Sequence, residues 1–349
     1  MIISRTPLRI SFAGGGSDLR AFYRHEPGAV VSTAINKYIY INVNPKFDDK
    51  IRASYSITEM VDRVDQLEHE LIREALKRVG IDGGIEITSI SDIPSKGTGL
   101  GSSSTYTVGL LNALYAYVGK HAGAERLAHQ ACEIEIERCG KPIGKQDQYI
   151  AAYGGLQYMQ FNPDEGVFVD PIISSPLTRR RLESQLLMLY TGMTRSANGV
   201  LQEQQNNTEN DEQRRQSLHL MTRLARDLRD ALSHDDLDSF GEILHEGWLL
   251  KKSLASSISN LRIDEWYEQA RRHGAIGGKI LGAGGGGFLL LYAPQERHAE
   301  ICESLPGLRP MSFRLEPQGS KIIYVEEGDE AWTAPTAIPV RAFSSIGQG

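Results

Sequence analysis

The sequence predicts an α+β fold divided between two domains. Three observations lead there. The chain has 349 residues, more than one hydrophobic core ordinarily serves. Strand-like and helix-like stretches alternate through the first half, whereas residues 199–260 are polar and read as successive helices. The chain then returns to strands in AIGGKILGAGGGGFLLLY, residues 275–292. The boundary is placed between 180 and 190. This gives an N-terminal domain over 1–185, a C-terminal domain over 186–330 and a peripheral tail over 331–349.

The elements follow in order. IISRTPLRISFAG and AVVSTAINKYIYINVNP are rich in β-branched residues and read as strands, separated by a Gly-rich turn and a short helical piece. In LEHELIREALKRV, residues 67–79, the side chains of Leu67, Leu71, Ile72, Ala75, Leu76 and Val79 recur at helical spacing. GIEITSI alternates as a strand. A helix is predicted from Ser103 to Val118, and a second from Ala124 to Cys139, stopped by Gly140 and Pro142. GKQDQYIAAYGG contains a short third helix. QYMQF and LLMLY are strands. In the second half Leu218, Met221, Ala225, Leu228 and Leu232 form an apolar stripe, residues 262–273 another helix, and KIIYV a last strand.

Composition excludes several functions. The net charge of −6 gives no broad footprint for nucleic acid. No run is long and apolar enough to cross a bilayer, and MIISRTPLRISF lacks the parts of a signal peptide. The three cysteines, Cys132, Cys139 and Cys302, form no CxxC pair and read as reduced thiols of a cytoplasmic protein. No histidine falls in a metal-binding pattern. Monomer and homodimer are both left open.

Three glycine-rich stretches stand out. In KGTGLGSSSTYT, glycines precede a predicted helix start near Ser103. Such a start carries unpaired N–H groups and partial positive charge, and glycines let a bulky anion approach the backbone. Lys96, Gly97, Gly99, Gly101, Ser102, Ser103 and Ser104 therefore form a candidate phosphate cradle. A flexible turn with a serine cap is the plainer alternative. It is not a Walker loop. In PLRISFAGGGSDL, residues 7–19, Gly14–Gly16 open the backbone ahead of Asp18, which otherwise would cap a helix. KILGAGGGGF has four glycines in a row between strands, where a hairpin needs one or two. Close approach of a ligand, or of another backbone, explains the excess.

Together these blocks resemble the GHMP kinases, over about residues 1–330. GGGSDL is most similar to the bacterial heptose 7-phosphate kinases; the fucokinases carry a related block with a tryptophan that is missing here. The resemblance implies a mixed N-terminal sheet with a left-handed β-α-β unit around the phosphate loop and a ferredoxin-like C-terminal domain, with ATP and sugar meeting between them. It also implies ATP-dependent phosphorylation of the anomeric hydroxyl of D-glycero-D-manno-heptose 7-phosphate, for nucleotide-activated heptose and surface polysaccharide. Another anomeric sugar kinase, or a silent sugar sensor on the same scaffold, is the alternative.

By motif position Asp147 would be the catalytic base and Arg9 the basic residue beside it, neutralising developing charge. Ser103 and Glu135, twelve residues before Asp147, would hold Mg²⁺; a solvated helix residue is the other reading of Glu135. Gly15, Gly16, Ser17 and Asp18 would contact the sugar. Its phosphate needs a cationic clamp, for which Arg195 with Ser196 ranks ahead of Arg179–Arg181 and Lys145. Gly284, Gly285 and Gly286 would line the cleft.

Overall fold

A computed structural model describes residues 1–94, 97–194 and 197–326. Strands β1 (Ile2–Ala13) and β2 (Gly28–Pro45) form a long antiparallel pair, with the short helix α1 (Arg20–Tyr23) between them. Their register shifts at Pro7, which has no N–H to give to the ladder. The hairpin β3 (Ile51–Ser54) and β4 (Thr58–Val61) and the helix α2 (Glu70–Val79) lead to β5 (Ile85–Ser91). β5 pairs with β2 antiparallel and with β3 in parallel, so the sheet is mixed. Helix α3 (Ser102–Tyr117) is buried almost all round, from Ser104 to Tyr115, with its polar Thr105, Thr107 and Asn112 hydrogen-bonded. α4 (Ala124–Cys132), α5 (Gln146–Tyr153), β6 (Leu156–Phe161), β7 (Val167–Pro171) and α6 (Pro176–Gln185) complete this half.

The helix expected to run unbroken to Cys139 changes character: residues Glu133–Arg138 wind as a π-helix, ended by Gly140 at φ +62°. Such turns are frequent at functional sites, and this one holds Glu135.

The second sheet begins at β8 (Leu186–Tyr190). Four helices follow: α7 (Ala197–Asn210), α8 (Glu212–Ser233), α9 (Asp238–Leu254) and α10 (Leu261–Arg272). The chain then adds β9 (Gly277–Ile280), β10 (Phe288–Tyr292), α11 (His298–Ser304) and β11 (Arg309–Pro310). Spatial order is β11-β8-β10-β9, antiparallel throughout. With the four helices counted as one connection, this is the β-α-β-β-α-β order of a ferredoxin-like domain. The predicted stripe Leu218, Met221, Ala225, Leu228 and Leu232 is buried, and α8 packs on β1 and β2. The last described strand, β12 (Lys321–Val325), returns to pair with β1. Position along the chain assigns this strand to the second half, whereas its hydrogen bonds belong to the first sheet. The expected tail, 331–349, lies outside the described residues. Among the described residues no helix is long and apolar enough to cross a membrane.

Candidate active site

The loop before α3 is built on left-handed glycines. Gly97, Gly99 and Gly101 have φ of +72°, +79° and +77°, a region where a side chain is strained. Gly101 caps α3 without a side-chain hydrogen bond, which leaves the first N–H groups of the helix open to a ligand. The hydroxyls of Thr98 and Ser102 are buried without a partner. Both line a cleft of about 450 Å³ with Gly97, Gly99, Gly101, Ser103 and Ser104.

The third glycine stretch clasps this loop. A Cβ on Gly99 would lie 2.2 Å from Leu281 O, one on Gly282 2.5 Å from Gly99 Cα, and one on Gly287 2.4 Å from Thr98 O. The excess glycine therefore serves backbone against backbone. Gly284, Gly285 and Gly286, expected to line the cleft, do not. Gly284 abuts Ile258, Gly286 abuts Met193, and the Gly285 N–H donates to Ile258 O at 2.8 Å. The cleft is lined by Gly282 and Ala283 instead.

β1 delivers Arg9 into the loop, where its N–H donates to Leu100 O at 3.1 Å. The buried guanidinium grips Asp147 with two bonds of 2.7 Å, Nε to Oδ1 and Nη2 to Oδ2. Nη1 donates to Gly99 O. Asp147 stands in the first turn of α5, its side chain 23% exposed. Arg9 and Asp147 are thus one bidentate unit tied to the loop before α3.

The π-helical turn aims Glu135 inward, fully buried rather than solvated. Ser103 Oγ donates to its Oε1 at 2.5 Å and Gln148 Nε2 to its Oε2 at 2.7 Å. Lys141, which the sequence reading passed over, sits 3.1 Å from Ser103 Oγ and 3.6 Å from Glu135 Oε1. A second hollow of about 620 Å³ opens from Ser102, Ser103 and Lys141 toward Tyr55, His69 and Tyr106.

Asp18 is buried beside the Gly15–Gly16 turn. It accepts from Gly16 N (2.9 Å), Gln146 N (3.2 Å) and Gln146 Nε2 (3.2 Å). Burial pushes its carboxyl above the usual range, with the nearby Asp147 charge adding to the rise and the hydrogen bonds opposing it. Gly15 and Gly16 line the cleft. Ser17 does not: its hydroxyl donates to Gly14 O and Ala29 O, holding the turn. Lys96, Arg195 and Ser196 lie outside the described residues. Among the other clamp candidates, Lys145 is engaged by Glu165 and the Tyr23 ring, and Arg179–Arg181 are exposed on α6.

The second half adds residues with no sequence signature. Lys251 of α9 and Lys279 of β9, both 4% exposed, and Gln204 of α7 also line the cleft. Lys279 Nζ donates to Phe12 O at 3.1 Å, and Lys251 Nζ reaches Gly15 O at 3.4 Å. Burial lowers both ammonium pKa values, that of Lys251 to about 8 despite the opposing pull of Asp18. A roomier hollow of about 800 Å³, lined by Arg24, Glu209, Glu212 and Arg215, contains none of these groups. Its charges pair with one another.

The GHMP kinases N-terminal domain matches residues 66–155 and the GHMP kinases C-terminal domain residues 228–306. The chain belongs to the GHMP kinases. This GHMP kinase is 29% identical over 318 residues to a D-glycero-alpha-D-manno-heptose 7-phosphate kinase of Campylobacter jejuni, covering 87% of this chain and 93% of that one. It is 27% identical to a bifunctional fucokinase/GDP-fucose pyrophosphorylase of Arabidopsis thaliana, over 84% of this chain and 30% of the larger protein. Its fold superposes with a TM-score of 0.78 on a D-glycero-D-manno-heptose 1-phosphate kinase from Bacteroides thetaiotaomicron, at 26% identity, covering 94% of this chain and all of that one. It is an ATP-dependent phosphotransferase with an alcohol acceptor, a sugar kinase of this family.

Proposed function

We propose that this GHMP kinase transfers the γ-phosphoryl group of ATP to the anomeric hydroxyl of D-glycero-D-manno-heptose 7-phosphate, giving ADP and the 1,7-bisphosphate. The observation that carries the reading is the position of the Arg9–Asp147 unit. One end is bonded to the phosphate loop at Gly99, and Asp147 opens onto the same cleft as Asp18. A nucleotide held at α3 and a sugar held by Asp18 therefore meet at the Asp147 carboxylate. The likeness to the Campylobacter jejuni kinase along nearly the full chain supports the acceptor. The implied role is an early step in making nucleotide-activated heptose for surface polysaccharide.

The chain's own groups supply the steps. The N–H groups opening α3 hold the phosphates, and the hollow lined by Tyr55, His69 and Tyr106 accepts the base. Asp18 takes hydrogen bonds from sugar hydroxyls. Asp147 accepts the proton of the anomeric hydroxyl as that oxygen bonds to the γ-phosphorus and the bond to the leaving ADP oxygen breaks. Both Asp147 oxygens already accept from Arg9, yet a carboxylate has about four lone-pair sites, so capacity for the proton remains. Ser103 Oγ and Glu135 Oε1 are adjacent hard oxygens beside the phosphate cradle. They fit Mg²⁺, which takes few protein ligands and fills its shell with phosphate and water. When bound, the ion would neutralise phosphate charge. Lys141, now donating to Ser103, would give way to it. Arg195 and Ser196 are kept as the proposed clamp for the sugar's own phosphate because their chain neighbours Ala197 and Asn198 line the cleft.

A second reading, an unphosphorylated sugar as acceptor, draws on the fucokinase likeness. ATP with a panel of heptoses and hexoses, each with and without a terminal phosphate, separates the two. Turnover restricted to terminally phosphorylated heptose, with ³¹P NMR placing the new phosphate on the anomeric oxygen, is the expected result. Turnover confined to free sugars would refute the acceptor assignment, and no ADP release with any sugar would point to a silent sensor.

A further inference from the structure

Gln204 is the least comfortable side chain in the cleft. It lies on the inward stripe of α7 with Val200 and Thr208, fully buried. Among the described residues neither its Nε2 nor its Oε1 has a hydrogen-bond partner. A buried amide without partners is costly, and native proteins rarely leave both ends of one open. The head is not sealed in the core, since Gln204 lines the cleft. A Cβ on Gly16 would lie 2.3 Å from its Nε2, so the absence of a side chain at Gly16 is what makes room for the amide.

Lys251 approaches the same glycine turn from α9. Its Nζ is 3.4 Å from Gly15 O, leaving two of the three ammonium N–H donors unengaged. A Cβ on Gly15 would meet Ser11 Oγ at 3.3 Å, Gln146 Nε2 at 3.4 Å and Lys251 Nζ at 3.9 Å. Ser11 Oγ is also buried and unpartnered. Open donors and acceptors thus gather about Gly15–Gly16, on the turn whose Gly16 N–H already engages the Asp18 carboxylate.

We infer that Gln204 and Lys251 are acceptor-recognition residues: the Gln204 amide reads a pair of neighbouring sugar hydroxyls and Lys251 donates to an oxygen of the same sugar. The chemistry follows from what is left open. An amide offers a donor beside an acceptor. Two adjacent hydroxyls satisfy both, whereas a phosphate only accepts and would leave Oε1 unpaired. The inference rests on the sugar-kinase reading but not on heptose in particular.

The test uses the full chain with whichever acceptor of the sugar panel turns over, so a wrong acceptor assignment and a wrong role for Gln204 give different results. Gln204→Leu removes the unpaired amide at similar volume, Gln204→Met does so without branching, and Lys251→Met removes the ammonium. Each is expected to raise acceptor KM about tenfold or more, with ATP KM within about twofold. For the two Gln204 variants Tm should be unchanged or higher, because removing an unsatisfied polar group does not weaken the fold. Monodeoxy analogues of the acceptor give the second readout. Wild type should reject one or two adjacent deoxy positions, and the Gln204 variants should lose discrimination at those same positions. Folded Leu or Met variants with unaltered acceptor KM and unaltered deoxy discrimination would overturn the inference.

Discussion

Replacing Asp147 by Asn tests the centre of the mechanism. The Arg9 guanidinium is 4% exposed and makes two 2.7 Å bonds to the carboxylate, with Gly99 O as its remaining partner. Asparagine keeps one carbonyl oxygen, so one charge-assisted bond and the ionic attraction are lost. Hydrogen bonds to charged groups contribute about 1.5–3 kcal/mol. The Asp147 side chain is 23% exposed, and solvent screening places the cost near the lower figure. That corresponds to a fall in Tm of a few degrees, so the variant remains folded. The kinetic effect is larger. Loss of a positioned general base lowers kcat by about 10²–10⁴-fold. ATP KM should move by no more than about threefold, because the loop and the start of α3 are untouched. Coupled ADP release measures kcat and ATP KM, and differential scanning fluorimetry measures Tm. A folded Asp147→Asn enzyme with kcat within about threefold of wild type would refute the assignment. So would an intact kcat with a large rise in ATP KM, which would make Asp147 a nucleotide ligand instead.

Further outcomes follow from the same geometry. Glu135→Gln keeps the acceptor for Ser103 but removes the buried charge, so half-saturating Mg²⁺ should rise about tenfold in a magnesium titration of activity. Gly99→Ala sets a Cβ 2.2 Å from Leu281 O at φ +79°. It should cost more than about 2 kcal/mol in urea unfolding and raise ATP KM. Lys279, whose ammonium pKa is depressed by burial and then by Lys251 and Arg9, destabilises the fold while charged. Below its folded pKa both states hold the proton and the penalty is full; as pH rises toward the ordinary lysine range, the folded chain releases the proton first and stability recovers. Lys279→Met should therefore raise Tm more at pH 6 than at pH 9. Lys251, lowered to about 8 and facing Asp18, Asp147, Arg9 and Lys279, should lose its charge above that pH, and acceptor KM should climb there.

Features set by a few consecutive residues were legible in the sequence. GTGLGSSS and GGGSD announce themselves because positive φ and open N–H groups are properties of a few consecutive residues; the interval from Glu135 to Asp147 was pointed to only by the family resemblance. The buried stripe of α8 was legible for the same reason, since its spacing is set by one helix. It could also be read that KILGAGGGGF needed a close approach; that the partner is the backbone at Thr98 and Gly99, with Gly282 and Gly287 rather than Gly284–Gly286 at the contact, is decided across the fold. The hairpin β3–β4 and the short β7 depend on neighbours that pair with them, and α6 gave only the modest local sign of Ser175 before Pro176. Tertiary structure alone selected Gln204 from a polar helix and Lys251 and Lys279 from ordinary positions. Each acquires meaning through burial beside Gly15, Gly16 or Phe12, which lie about 190 to 270 residues away in the chain. Burial is a collective property of packed elements, and it converts an unremarkable amide or ammonium into a group that needs a ligand.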